Sequence, residues 1–108
     1  MPWRVEILDR RVERELDELP PDVRQRFLRI AELIERHGPA AVHEPYVKRL
    51  EGKLWEMRMK GKDGIARAIY ISAHGERVVV LHAFAKKSQK TPRRALEIAR
   101  ERSKEVIR

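Results

Sequence analysis

The stretch Leu54-Trp55-Glu56-Met57-Arg58-Met59-Lys60, followed by Gly61-Lys62-Asp63-Gly64 and then Ile65-Ala66-Arg67-Ala68-Ile69-Tyr70-Ile71-Ser72, decides the fold. Residues 54–60 alternate apolar Trp55, Met57 and Met59 with polar Glu56, Arg58 and Lys60, the period of two that marks a strand. The glycine-bounded tetrapeptide reads as a turn, and residues 65–72 read as the returning strand. His74-Gly75 turns the chain again into residues 77–84, where Val78-Val79-Val80-Leu81 is apolar on both faces and therefore suits a central strand. The order is a meander. Period two also assigns faces: Trp55, Met57 and Met59 are expected in the core, and Glu56, Arg58 and Lys60 on an open side.

Trp3, Val5 and Ile7 alternate with Arg4 and Glu6, which predicts a short first strand over residues 3–8, placed as the other neighbour of the central strand. Asp9 suits the N-cap of a helix carrying Val12, Leu16 and Leu19, which Pro20-Pro21 ends. A second helix starts at Pro21, with Asp22 in its first turn and Val23, Phe27, Ile30, Ala31 and Ile34 along one face, and stops at Gly38-Pro39. Residues 38–53 hold two prolines, two glycines and no sustained period, and read as an irregular connection. Thr91 is expected to cap a terminal helix with Pro92 in its first position and Ala95, Leu96, Ala99 and Val106 on one face. The fold class is α+β: an N-terminal strand and helical hairpin packed on a small, mostly antiparallel sheet, with a C-terminal helix, in one domain spanning 1–108.

The 108 residues contain no cysteine, which excludes disulfides, thiolate metal sites and a cysteine nucleophile. No apolar run approaches the roughly eighteen residues that span a bilayer, so a soluble, cytoplasmic protein with no membrane partner is expected. The formal net charge of +8 is unevenly placed. Residues 1–54 carry eleven basic and eleven acidic side chains, whereas residues 55–108 carry fourteen and six. Between Arg58 and Arg94 ten basic residues face only Asp63 and Glu76, which points to a polyanionic partner for that stretch.

Arg67 stands between Ala66 and Ala68 in an apolar strand, and two readings are open: it meets an anion, or it pairs with a neighbouring carboxylate such as Glu56. After the last strand, Lys86, Lys87, Lys90, Arg93 and Arg94 crowd a loop that runs into a helix N-terminus, and both features bind phosphate. His37, His43, His74 and His82 lack the spacing of metal ligands, so no metal or other cofactor is expected. His82, just ahead of the basic loop, is the histidine best placed for proton transfer.

Together the runs Val47-Lys48-Arg49-Leu50, Leu54-Trp55-Glu56-Met57-Arg58-Met59-Lys60, Ile65-Ala66-Arg67-Ala68-Ile69-Tyr70 and His82-Ala83-Phe84-Ala85-Lys86-Lys87-Ser88-Gln89-Lys90-Thr91-Pro92 resemble the phage-derived, HigB-like branch of the RelE/ParE toxin superfamily over nearly the whole chain. The resemblance implies a RelE-like fold, a helix-turn-helix antitoxin as partner, and metal-independent cleavage of messenger RNA on the ribosome. It assigns phosphate binding to Arg67, the basic second-strand positions to Arg58 and Lys60, and the basic residue after the last strand to Lys86 or Lys87. Lys90, Arg93 and Arg94 extend the RNA-binding surface. Attack of a 2′-hydroxyl on its phosphate needs a base, cations and an acid, and a lysine among like charges has the lowered pKa that suits either proton-transfer role. Lys60, Lys86, Lys87 and His82 are the candidates. Relatives often carry an aromatic or histidine acid–base group near the chain's end, but here nothing aromatic follows Phe84, so the two roles stay unassigned. A ParE-like gyrase inhibitor and a degenerate RNA-binding module are the other readings of the same likeness.

Overall fold

The computed structural model describes residues 3–86 and 91–106, with the backbone alone for Lys86. Five strands form one mixed sheet: β1 (Arg4–Ile7), β2 (Val47–Glu51), β3 (Leu54–Gly61), β4 (Gly64–Ala73) and β5 (Arg77–Lys86), in the order β1-β5-β4-β3-β2. β1 runs parallel to β5 and the other pairings are antiparallel, so the chain's first strand does flank its last. Helices α1 (Arg10–Asp17) and α2 (Pro21–His37) cover one face, and α3 (Arg93–Ser103) lies on the other.

The helical hairpin forms where the sequence places it. The Asp9 carboxylate accepts the Arg11 amide at 2.9 Å and caps α1, while Pro21 opens α2. Gly38 ends α2 at φ +85°, a conformation that favours glycine, with the Trp3 indole 3.2 Å from where a Cβ would stand. Val12, Leu16, Val23, Phe27, Ile30 and Ile34 then bury against Met57, Met59, Ala66, Ala68, Val78 and Val80. The β3–β4 turn reaches the start of α2, where Asp22 accepts the Lys62 amide at 2.8 Å. A Cβ at Gly61 would stand 2.7 Å from both the Asp22 carboxylate and Val23, so this close approach needs glycine.

Four expectations are corrected. Residues 38–53 are not wholly irregular: after a short 3₁₀ turn (Pro39–Ala41) they contribute β2 as the edge strand on β3. A register shift between Arg49 and Glu51 breaks the alternation that would have marked it as a strand. Thr91 does not cap α3, whose N-cap is Pro92 with no side-chain cap bond. The second sheet face is not open along its length, because α3 buries Ala95 and Ala99 against Leu54, Ile69, Ile71, Val79 and Leu81. Glu56 is therefore buried at 0% exposure, whereas Trp55, expected in the core, is 36% exposed.

Candidate nucleic-acid interface

Strand register assembles the candidate residues into rows across the second sheet face. Glu56 of β3 pairs with Ile69 of β4, which pairs with His82 of β5; the next row is Arg58, Arg67 and Phe84; the next is Lys60, Ile65 and Lys86. Cross-strand partners share a face, so Arg58 and Arg67 stand side by side on it. Like charges placed directly opposite repel, and the Glu56 carboxylate offsets them. Its Oε1 lies 2.5 Å from the Arg67 guanidinium and 3.9 Å from Nε of Arg58. Arg67 itself is only 3% exposed. Of the two readings left open for Arg67, the structure shows the pair with Glu56, and the expectation of an open-face cation is corrected for this residue. Lys60 remains exposed and Arg58 partly so.

The other oxygen of Glu56 accepts the Thr91 hydroxyl at 2.6 Å. This contact was not legible in the sequence, where a threonine before proline reads as a cap. It brings the start of α3, with Arg93 and Arg94 exposed on the first turn, onto the face that carries the arginine row. The side chain of Lys86, and the whole of Lys87 and Lys90, lie outside the described residues.

His82 sits one row from Arg67 but is held by a different set of groups. Its Nδ1 lies 3.0 Å from Oε1 of Glu15 on α1, and its ring stacks on Phe84 with centroids 5.1 Å apart. Glu15 also accepts the Ala83 amide at 3.1 Å and pairs with Arg102 of α3 at 2.9 Å, and Arg102 donates to the Leu81 carbonyl at 2.8 Å. These side chains satisfy the β5 backbone beyond Val80, where its pairing with β1 ends. Burial raises the Glu15 pKa, but the hydrogen bonds from His82, the Ala83 amide and Arg102 outweigh it and hold the carboxyl below its ordinary value. Neither Glu15 nor Arg102 was singled out from the sequence, since contacts across 67 and 87 residues leave no local signal.

On the opposite face a groove of about 710 Å³, floored by Val47, Trp55 and Tyr70 and walled by Pro39 and Val42, accounts for the exposure of Trp55. Burial there pushes the Tyr70 phenol up. The groove lies away from the arginine row.

A family model described as phage-derived protein Gp49-like (DUF891) matches residues 14–104. The chain belongs to the phage-derived Gp49-like family. In this Gp49-like protein the match begins within α1 and spans α2, all strands from β2 to β5 and α3. Among solved structures, the archaeal RelE–RelB complex from Pyrococcus horikoshii OT3 is 27% identical, with a TM-score of 0.58 over 79% of this chain and 96% of that one. A doubly arginine-to-alanine substituted E. coli toxin RelE in the free state is 17% identical, with a TM-score of 0.65 over 99% of this chain and 100% of that one. No curated protein matches the chain. Family and fold together make this Gp49-like protein a toxin of the RelE/ParE type, as the sequence resemblance implied.

Proposed function

We propose that this toxin cuts messenger RNA on the translating ribosome, without a metal, and is held in check by a cognate helix-turn-helix antitoxin in the cytoplasm. The observation that carries the reading is the register of β3 and β4, which sets Arg58 beside Arg67 and Lys60 one row beyond, on the face to which Thr91 draws the start of α3. The similarity to a RelE solved with RelB supports an antitoxin partner, and no helix among the described residues is long and apolar enough to cross a membrane.

The chemistry proposed is attack of a 2′-hydroxyl on the adjacent phosphate. Negative charge grows on the non-bridging oxygens as the 2′-oxygen, losing its proton to a base, bonds to phosphorus, and on the 5′-oxygen as its bond breaks and an acid protonates it, leaving a 2′,3′-cyclic phosphate; fixed cations stabilise that charge. Lys60, exposed, and Arg58, partly exposed, are the cations of the strand rows that face such a phosphate, with the exposed Arg93 and Arg94 at the start of α3 beside them. Arg67, held by Glu56, sets the field behind them. Lys60, Lys86, Lys87 and His82 are the groups proposed to move protons. His82 is constrained in that role, since its Nδ1 is engaged by Glu15.

Induction in cells followed by mapping of transcript ends tests the reading. Cuts phased with codons, lost in the Lys60→Ala variant, are the expected result. A DNA-damage response without such cuts would refute it in favour of gyrase inhibition.

A further inference from the structure

We propose that Glu56 is a positioning residue: its two carboxylate oxygens yoke Arg67 to Thr91 and so fix the start of α3, with Arg93 and Arg94, beside the Arg58–Arg67 row. The inference rests on the reading of this face as the RNA site and names the residue that assembles it.

Glu56 is fully buried between two layers. A buried carboxylate must have its lone pairs satisfied, and here one oxygen meets β4 through Arg67 while the other meets the chain just ahead of α3 through Thr91. At 2.6 Å the Thr91 contact has the length of a charge-assisted O–H···O⁻ bond. The start of α3 needs such a tie. Its N-cap, Pro92, supplies no side-chain cap, and Arg93 and Arg94 place positive charge at the positive end of the helix dipole. Arg58 and Arg67 add like charge on the face below. The other end of the helix is anchored separately, by Arg102 on the Leu81 carbonyl and Glu15 and by Arg100 on Glu51 at 2.7 Å. A helix fixed at its far end, with repelling cations at its near end, is held down there by the counter-charge buried beneath it.

The test uses the full chain with Thr91→Val, which removes the hydroxyl at nearly constant shape, and Thr91→Ser, which keeps it. Glu56→Gln is the companion variant, and if it fails to fold the Thr91 pair decides. Three quantities are read: exchange of the Leu96 amide, which makes the first hydrogen bond of α3 on the Pro92 carbonyl, kcat and KM for cleavage on programmed ribosomes, and the salt dependence of binding to a short single-stranded RNA. In Thr91→Val, exchange at Leu96 should quicken about tenfold, the loss of one hydrogen bond, while exchange near Arg102 stays as in wild type. The same variant should lose about ten- to a hundredfold in kcat, the scale of a misplaced group. The salt slope should not change, since no cation is removed, and Thr91→Ser should restore both exchange and kcat. Unchanged exchange in Thr91→Val overturns the yoke, and quickened exchange with wild-type kcat overturns its positioning role. A wild type that cuts no RNA refutes the reading of the face; exchange alone then judges the yoke, unchanged exchange overturning it and quickened exchange supporting it.

Discussion

Removing the Arg67 guanidinium should destabilise the fold, not merely silence the toxin. Arg67 is 3% exposed and Glu56 0%, and their closest atoms are 2.5 Å apart. In Arg67→Ala the carboxylate keeps the Thr91 hydroxyl but loses its near cation, and Arg58 at 3.9 Å makes no hydrogen bond to it. Removing one partner of a buried pair costs about 3–5 kcal/mol, because a desolvated charge is left behind. With a urea slope of about 1–3 kcal/mol/M for a domain of this size, the unfolding midpoint should fall by about 1 M or more. The double change Arg67→Met with Glu56→Leu should recover most of the loss, since apolar replacements of similar volume are often neutral or better. Urea melts of the wild type and the two purified variants, followed by tryptophan fluorescence, provide the assay. An unfolding free energy for Arg67→Ala within about 1 kcal/mol of wild type would show that the pair is solvated and that Arg67 is an open-face cation after all.

Met57→Asp should leave no folded protein by circular dichroism, since Met57 is fully buried under the helical hairpin and an unpaired buried charge costs several kcal/mol. Gly61→Ala should lower stability by about 1–3 kcal/mol in a urea melt, because its Cβ meets Asp22 and Val23 at 2.7 Å. Glu15 has a folded pKa below its ordinary 4.5, so its contribution is present above that value and disappears as pH falls through the folded pKa. Glu15→Gln should accordingly be less stable than wild type at neutral pH, and the gap between their urea midpoints should narrow below about pH 4. Lys60→Ala, at an exposed position, should keep its melting temperature while slowing RNA cleavage on the order of a hundredfold in a ribosome assay.

Local chemistry accounts for what was legible in the chain. Asp9, Pro21 and Gly38 set the hairpin's ends through backbone geometry that acts over a few residues, and period two in residues 54–60 chose the side of β3 that carries Met57 and Met59. The position of β1 beside β5 followed from the two-sided apolar run at residues 78–81. The excess of charge between Arg58 and Arg94 marked the segment that holds the arginine row, because a count needs no coordinates.

Exposure and partnership were not legible, because both are set by what packs on a residue from elsewhere in the chain. Alternation told that Glu56 and Trp55 face opposite ways, but only the docking of α3 made the charged side of β3 the drier one at Glu56. The groove beside the Pro39–Ala41 turn left Trp55 partly open. Arg67 had two readings until register placed a carboxylate one row away. Thr91 meets Glu56 across 35 residues, and Glu15 meets His82 across 67. Hydrogen bonds over such separations leave no periodic trace in a sequence, so the fold could be read from local signals while the wiring of its charged face was decided by tertiary packing alone.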